Sequence, residues 1–491
     1  MKQLLKYKKY LLNGKAVNKF RVRILIEVSE KRIIIMRRKL FSVIWLFILS
    51  LILVTCSVNQ PQNSLQPEPS EAVLSIWWNR GYYLEEDEAL QKVVTEWQEK
   101  TNHKVELLFF CEDDILQVGI DALAKGKPPD IFFSERAEYT LIPQWASEGK
   151  LLDVSDVIKP IKNLYGDAAL NSVYLYNNFE SKSSYYAVPI MQGSVHIHYW
   201  HDLISDAGLG EEIPKQWDDF WQFWQNAQKI LRQQNDSNIY ALGLPMSIDA
   251  SDTYIIFEQI LEANNVQIVD KQGKLQIDKP AIRQKIIEIL DWYTSFYKNG
   301  YVPPNAMNWL NSDNNTNFLN RETLMAINPT MSIPGSQQED EEIYLNQMRT
   351  IEFPNNPNGD KPRYLVSIKQ PIVFTSSAHP HLAKEFLSFL IQPENLGPYI
   401  KGSKGRYFPI MPQLWEDPFL HDTKNPHISV ASQQFTEHQT HLFDSSINHV
   451  YAQVYIEHIW SKAMQQILID GLSPTEATDR AIKRIKEIFE Q

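Results

Sequence analysis

Between Ala72 and Glu135 the chain alternates short apolar runs with segments of helical period. "AVLSIWW" reads as a strand, "EEDEALQKVVTEWQEKTN" places Leu90, Val93, Val94 and Trp97 on one helical face, and "KVELLFF" reads as the next strand. "ILQVGIDALAKGK" repeats the helical pattern and "PPDIFFSE" supplies a third strand with Ser134 and Glu135 at its exit. Strands and helices in this alternation predict an α/β fold whose parallel sheets are covered by helices. In open sheets of that kind ligands gather at the carboxyl ends of the strands, so Trp78, Asn79, Arg80, Ser134 and Glu135 are expected around one crevice. No glycine-rich phosphate loop accompanies them, and nucleotide binding is not supported. Further along, Trp217, Phe220, Trp221 and Trp224 in "WDDFWQFWQNAQKI" fall at the spacing of an amphipathic helix and read as packing residues rather than a ligand platform.

The beginning of the chain has a different pattern. Arg37, Arg38 and Lys39 precede an apolar run from Leu40 to Val54, and Cys56 follows directly after Thr55. A cationic head before an apolar core of that length is an export signal. "LVTC" resembles the lipobox at which a bacterial signal peptide is cut and a lipid attached to the cysteine, so Cys56 is the expected lipidation site. An uncleaved transmembrane helix is the alternative reading. Either way the residues after Cys56 are expected outside the cytoplasm. Residues 1–35 are basic with no long apolar core, and read as a start assigned too early, or as a basic tail. Residues 57–71 are polar, with prolines and no periodicity, and read as a tether.

Removing the leader changes the charge picture. The whole chain has a formal charge of -11, but residues 1–56 are strongly basic, so the exported part is more acidic than that figure. An anionic surface repels nucleic acid and anionic lipid head groups. The other cysteine, Cys111, ends an apolar run and reads as a small buried hydrophobe, with no disulfide expected. The exported residues are too many for one ordinary core and suggest two lobes.

Over residues 72–491 successive blocks resemble, in order, the bacterial extracellular solute-binding proteins of ABC importers, family 1, the group that includes maltose- and other sugar-binding proteins. The matching stretches are "SIWWNRGY" with the helix and strand after it, "ALAKGKPPDIFFSE", "LIPQWASEGKLLDVSDVI" and "YYAVPIMQGSVHIHYWHDLISDAGL". Then come "FLNRETLMAINPTM", "HPHLAKEFLSFLIQPENLGPYI", "GRYFPIMPQLWEDP" and the closing "AMQQILIDGLSPTEATDRAIKRIKEIFEQ". The resemblance implies a two-lobed periplasmic-binding-protein fold, type II-like, with several chain crossings at a hinge. It places residues 72–190 and 368–415 in lobe 1, and 191–367 and 416–491 in lobe 2. It implies an extracytoplasmic, lipid-anchored monomer that captures a small polar ligand, a sugar or oligosaccharide, for a membrane permease. No catalysis, cofactor, metal or nucleic acid is expected. By matching block it adds Gln192, Gly193, Asp249, Asp252, Trp309, Asn328, Met331, Arg406 and Tyr407 to the strand-end ligand candidates. Met331 stands where the sugar binders usually present a stacking tryptophan.

Other features read less sharply. His196 and His198 share a strand face with His201 nearby, but no third metal ligand accompanies them. Tyr185 and Tyr186 are similar to the tyrosine pair that grips ferric iron in related binding proteins, yet fall in an ordinary structural block. Alternatives to transport are a ligand-binding sensor or adaptor lipoprotein and an anchored glycoside-processing enzyme, the latter requiring two positioned carboxylates in a cleft.

Overall fold

The computed structural model describes residues 72–210, 212–235, 238–270 and 272–491. The expectations on residues 1–71, including the export signal, Cys56 and the tether, lie outside the described residues. No helix among the described residues is long and apolar enough to cross a membrane.

The first sheet follows the alternation in the sequence. Strand β1 (Val73–Asn79) buries Leu74, Ile76 and Trp78, as a period of two requires. Helix α1 (Leu84–Thr101) then lays Leu90, Val93, Val94 and Trp97 against the sheet. It stops at Asn102, whose left-handed backbone returns its N–H to the Gln98 carbonyl. Strand β2 (Lys104–Phe110), helix α2 (Glu112–Ala124) and strand β3 (Ile131–Phe133) complete a parallel sheet in the order β2-β1-β3, with Ile76 opposite both Leu107 and Ile131. A hairpin of β4 (Tyr174–Asn177) and β5 (Lys182–Tyr185) follows.

The next strands carry the chain between two hydrophobic cores. Strand β6 (Met191–Ser194) runs almost directly into β7 (His196–Trp200), yet the two belong to different sheets. Met191 packs into the first core and Val195 into the second. Strand β7 joins a four-stranded sheet, ordered β10-β7-β9-β8, with β8 (Tyr240–Gly243), β9 (Thr323–Asn328) and β10 (Met348–Ile351). Strand β11 (Tyr364–Lys369) crosses back. It lies antiparallel to β6, with Val366 opposite Ser194, and parallel to β12 (Thr440–Leu442). Leu365 packs in the second core and Ile368 in the first, so β6 and β11 together form a two-strand crossing between lobes.

The second core is built on helix α3 (Trp217–Asn235). Trp217, Phe220, Trp221 and Trp224 are buried, and Trp221 meets Trp292 edge-on on the helix Pro280–Lys298. Burial thus follows the helical spacing of these aromatics. Helix α4 (Ser251–Ala263) is buried along nearly its whole length and points its first turn toward the first lobe's residues Glu112 and Arg136 across a cleft.

Cys111 is exposed, contrary to the buried reading. The apolar run ends with β2 at Phe110, and the acidic Glu112, Asp113 and Asp114 mark the first turn of α2, so Cys111 occupies the turn between them. His196 and His198 are fully buried, with His198 Nδ1 2.9 Å from Thr350 Oγ1 and that hydroxyl 2.8 Å from His427 Nδ1. Burial pushes His196 and His427 down to about 3. Among the described residues no group of three or more His, Cys, Asp or Glu is arranged to hold a metal ion. Tyr185 and Tyr186 are buried in the first core.

Candidate functional site

Each strand of the parallel sheet delivers residues to one cleft. The exit of β1 brings Tyr82, the exit of β2 brings Glu112, and the exit of β3 brings Glu135, Arg136 and Tyr139. The second lobe answers with Ser251 and Asp252 from the first turn of α4, Asn311 and Asn315 from the segment after Trp309, and Asn328, Thr330 and Ser332 after β9. Lys369 at the end of β11 and the pair Arg406 and Tyr407 line the base. Amides, hydroxyls, carboxylates and phenol rings converge here, the side-chain set that recognises a hydroxylated ligand.

The cleft is organised around Glu135. Its Oε1 accepts from Arg406 Nη1 at 2.8 Å, and its Oε2 from Arg406 Nη2 at 2.6 Å and the Tyr407 hydroxyl at 2.7 Å. Arg406 Nη1 also reaches Glu86 Oε2 at 3.1 Å. Burial alone would push Glu135 up, but the guanidinium of Arg406 and the ammonium of Lys369 hold it below the usual carboxylate range. A bidentate pair of this kind fixes both side chains and leaves neither free to rotate toward a ligand. Asp252 is in the opposite state. Burial, reinforced by the nearby charge of Glu112, pushes it up to about 8.

Direct hydrogen bonds cross the cleft between the lobes. Asn311 Nδ2 donates to Glu112 Oε1 at 2.9 Å, Asn315 Nδ2 to the Tyr82 hydroxyl at 3.3 Å, and the Tyr83 hydroxyl to the Ser332 carbonyl at 2.7 Å. The remaining free volume is about 70 Å³, which is room for a few waters. Pockets that hold a small ligand usually measure roughly 300–1,000 Å³.

Of the residues singled out from sequence, Glu135, Asp252, Asn328, Arg406 and Tyr407 line the cleft. The others stand outside it, for identifiable reasons. Trp78 points inward from β1, packs at a tilt against Phe133 with ring centroids 4.5 Å apart and donates its indole N–H to the Tyr399 hydroxyl. Asn79 donates to the Arg80 carbonyl, Arg80 itself is exposed, and Ser134 is buried one position before the cleft. Gln192 donates to the Pro409 carbonyl. Gly193 lies under the Tyr407 ring, where an added Cβ would approach to 3.3 Å. Asp249 is exposed, Trp309 is buried in the second core, and Met331 packs with Phe408, Leu420 and Ile428. Tyr82, Glu112, Arg136, Asn311, Asn315 and Lys369 line the cleft without having been singled out. Glu112 carried a usable signal, because it follows β2 as Glu135 follows β3 in the same parallel sheet.

A family model of bacterial extracellular solute-binding proteins matches residues 83–396. No curated protein matches the chain in sequence. Among solved structures, an ABC transporter solute-binding protein from Thermotoga lettingae, bound to α-D-tagatose, superposes with a TM-score of 0.70 at 20% identity, covering 85% of this chain and 99% of that one. MalE3 of T. maritima, bound to maltose, gives 0.67 at 17% identity over 85% of this chain and 100% of that one. A sugar transporter from Arthrobacter chlorophenolicus, with laminaribiose, gives 0.67 at 14% identity over 85% and 99%. These likenesses establish the two-lobed fold of periplasmic binding proteins, and the family match spans well over half of the residues. The chain belongs to the bacterial extracellular solute-binding protein family.

Proposed function

We propose that this protein is the extracytoplasmic receptor of an ABC importer, which closes its lobes on a small carbohydrate and presents it to the permease without altering it. The carrying observation is the interlobe cleft, where Ser251, Asn311, Asn315, Asn328 and Ser332 of the second lobe face Tyr82, Glu112 and Glu135 of the first. Amides and hydroxyls both donate and accept, which suits a ring of hydroxyl groups, and Tyr82 and Tyr139 offer ring surface for the apolar face of a sugar. The sugars bound by the similar solved proteins support the same reading. A lipid on Cys56 would hold the receptor near its permease, and a single copy of the chain would suffice for binding.

Because the ligand touches both lobes, its binding free energy is coupled to closure. At about one hundred times its dissociation constant the correct sugar should add roughly 2.7 kcal/mol of stability, a clear rise in melting temperature. Calorimetry and scattering on purified protein, across mono-, di- and oligosaccharides, test this. A melting shift accompanied by a change in radius of gyration, with the sugar recovered intact, is the expected result. A sugar hydrolysed on incubation would overturn the receptor reading in favour of an enzyme.

A further inference from the structure

Three carboxylates, Glu112, Glu135 and Asp252, and three cations, Arg136, Lys369 and Arg406, line the cleft, but they are not evenly paired. Its cations are committed: Arg406 to Glu135 and Glu86, Lys369 to Glu138, and Arg136 to Glu112 and Asp113. Asp252 has no such partner. It lines the cleft, is only 5% exposed, accepts from Asn314 Nδ2 at 3.0 Å through Oδ2, and forms no ion pair with a Lys, Arg or His of the described residues. Glu112 stands close by on the first lobe. Asn311 links the two, donating to Glu112 Oε1 at 2.9 Å while its Oδ1 accepts from the Asp252 backbone N–H at 3.2 Å and from Ser251 Oγ at 2.6 Å. A buried carboxyl that faces a ligand cavity without a counter-charge is held neutral while the cavity is empty, and a cation arriving there would favour its carboxylate. No group around Asp252 pairs with it: Glu112 repels it, Arg136 and Lys369 favour its charged form without an ion pair and are bonded to Glu112 and Glu138, and Tyr139, Tyr293 and Tyr455 are neutral phenols.

We propose that the ligand carries its own cation, so that the cleft selects an amine-bearing carbohydrate, an amino sugar or a short oligomer of one, with the ammonium seated on Asp252 beside Glu112. This rests on the carbohydrate reading and narrows it. The ring hydroxyls fall to Asn315, Asn328 and Ser332, which already exchange hydrogen bonds with one another through Asn315 and Ser332. Asn328 Nδ2, at 2.8 Å from Asn315 Oδ1 and 3.0 Å from Ser332 Oγ, holds that polar wall in place. The raised proton affinity of empty Asp252 adds a signature. At neutral pH the carboxyl is largely protonated, an ammonium against it favours the carboxylate, and a proton leaves on binding.

The test is isothermal titration calorimetry on the full-length protein with matched pairs: glucosamine against glucose and N-acetylglucosamine, galactosamine against galactose, and the β-1,4 dimer of glucosamine against cellobiose. The free amine should bind at least tenfold more tightly than its hydroxyl and N-acetyl counterparts in one series, with proton release read from buffers of different ionisation enthalpy. Asp252→Asn should erase the preference, weakening the amine about tenfold or more relative to its neutral counterpart, and should abolish the proton release. Should that variant fail to fold, the matched pairs on the unaltered protein decide alone. A neutral sugar that binds as tightly as its amine overturns the proposal and leaves the carbohydrate reading standing. Binding of no sugar of either kind overturns both.

Discussion

Glu135 shows how far a single residue's role depends on what surrounds it. Its position after β3 marks it from sequence as a strand-end acceptor for ligand hydroxyls, but three hydrogen bonds from Arg406 and Tyr407 already occupy its two oxygens. Removing one partner of a buried pair leaves an uncompensated charge and costs about 3–5 kcal/mol. Glu135→Gln should therefore lower the stability of the protein without sugar by that order, measured by chemical denaturation, besides weakening binding. Adding Arg406→Gln should recover only part of the loss, because Glu86, which Arg406 also reaches, is then left without its cation. A Glu135→Gln variant with unchanged stability and impaired binding would return the residue to the ligand. The arginine was legible as a candidate because "KGRYFP" is a recognisable block. Its engagement with Glu135 was not, since the two meet only after the chain has crossed between the lobes and returned. Lys369 was invisible for a related reason: it ends the apolar strand Tyr364–Lys369, where the pattern shows a buried strand and nothing marks its last residue as the one that enters the cleft.

Among the elements, α3 is where pattern and structure agree most closely. A stripe of aromatics at helical spacing can only be buried on one side, and the helix Pro280–Lys298 supplies that side through Trp292 and Phe296. Trp224 is fully buried and also meets Tyr199 on β7, so it ties the helix to the sheet. Trp224→Ala should cost about 3–5 kcal/mol, seen as a fall in melting temperature with the affinity of the remaining folded protein little changed. A loss of affinity with normal stability would instead make α3 part of the site. Elements defined by period were legible in this way, as α1 and β1 also show. Strand β7 was harder, because all of "HIHYW" is buried on both faces and the alternation that betrays a half-exposed strand is missing. Its histidines lacked a third metal ligand in the sequence, and the hydroxyl of Thr350, brought in by β10, sits between His198 and His427. Cys111 failed for the converse reason: an apolar run was extended by one residue past the point where the acidic turn of α2 begins.

At the scale of the whole molecule, closure depends on how near the two lobes can come, and one glycine sets that distance. Gly335 of the second lobe has an ordinary backbone conformation, so nothing local requires a glycine there. What requires it is Tyr83, which reaches over from the first lobe to donate to the Ser332 carbonyl. A Cβ on Gly335 would sit only 2.2 Å from its hydroxyl oxygen and 2.9 Å from the ring carbon bearing it. Real atoms do not approach so closely, so a methyl there must displace either the tyrosine or the lobe that carries it. No sequence pattern could reveal this, because Tyr83 and Gly335 are far apart in the chain and meet only across the cleft. Gly335→Ala should leave the fold of the empty protein intact, because the methyl meets Tyr83 only where the lobes touch, while destabilising that contact. It should weaken sugar binding on the order of tenfold, and scattering should show a larger radius of gyration at saturation than in the unaltered protein. Tyr83→Ala alone loses one hydrogen bond between the lobes, but added to Gly335→Ala it removes the obstruction. The double variant should therefore bind more tightly than Gly335→Ala and regain the compact form, a coupling that independent effects on two lobes would not give. If Gly335→Ala closes and binds like the unaltered protein, the Tyr83 contact belongs to a more tightly shut arrangement than the one that holds the sugar.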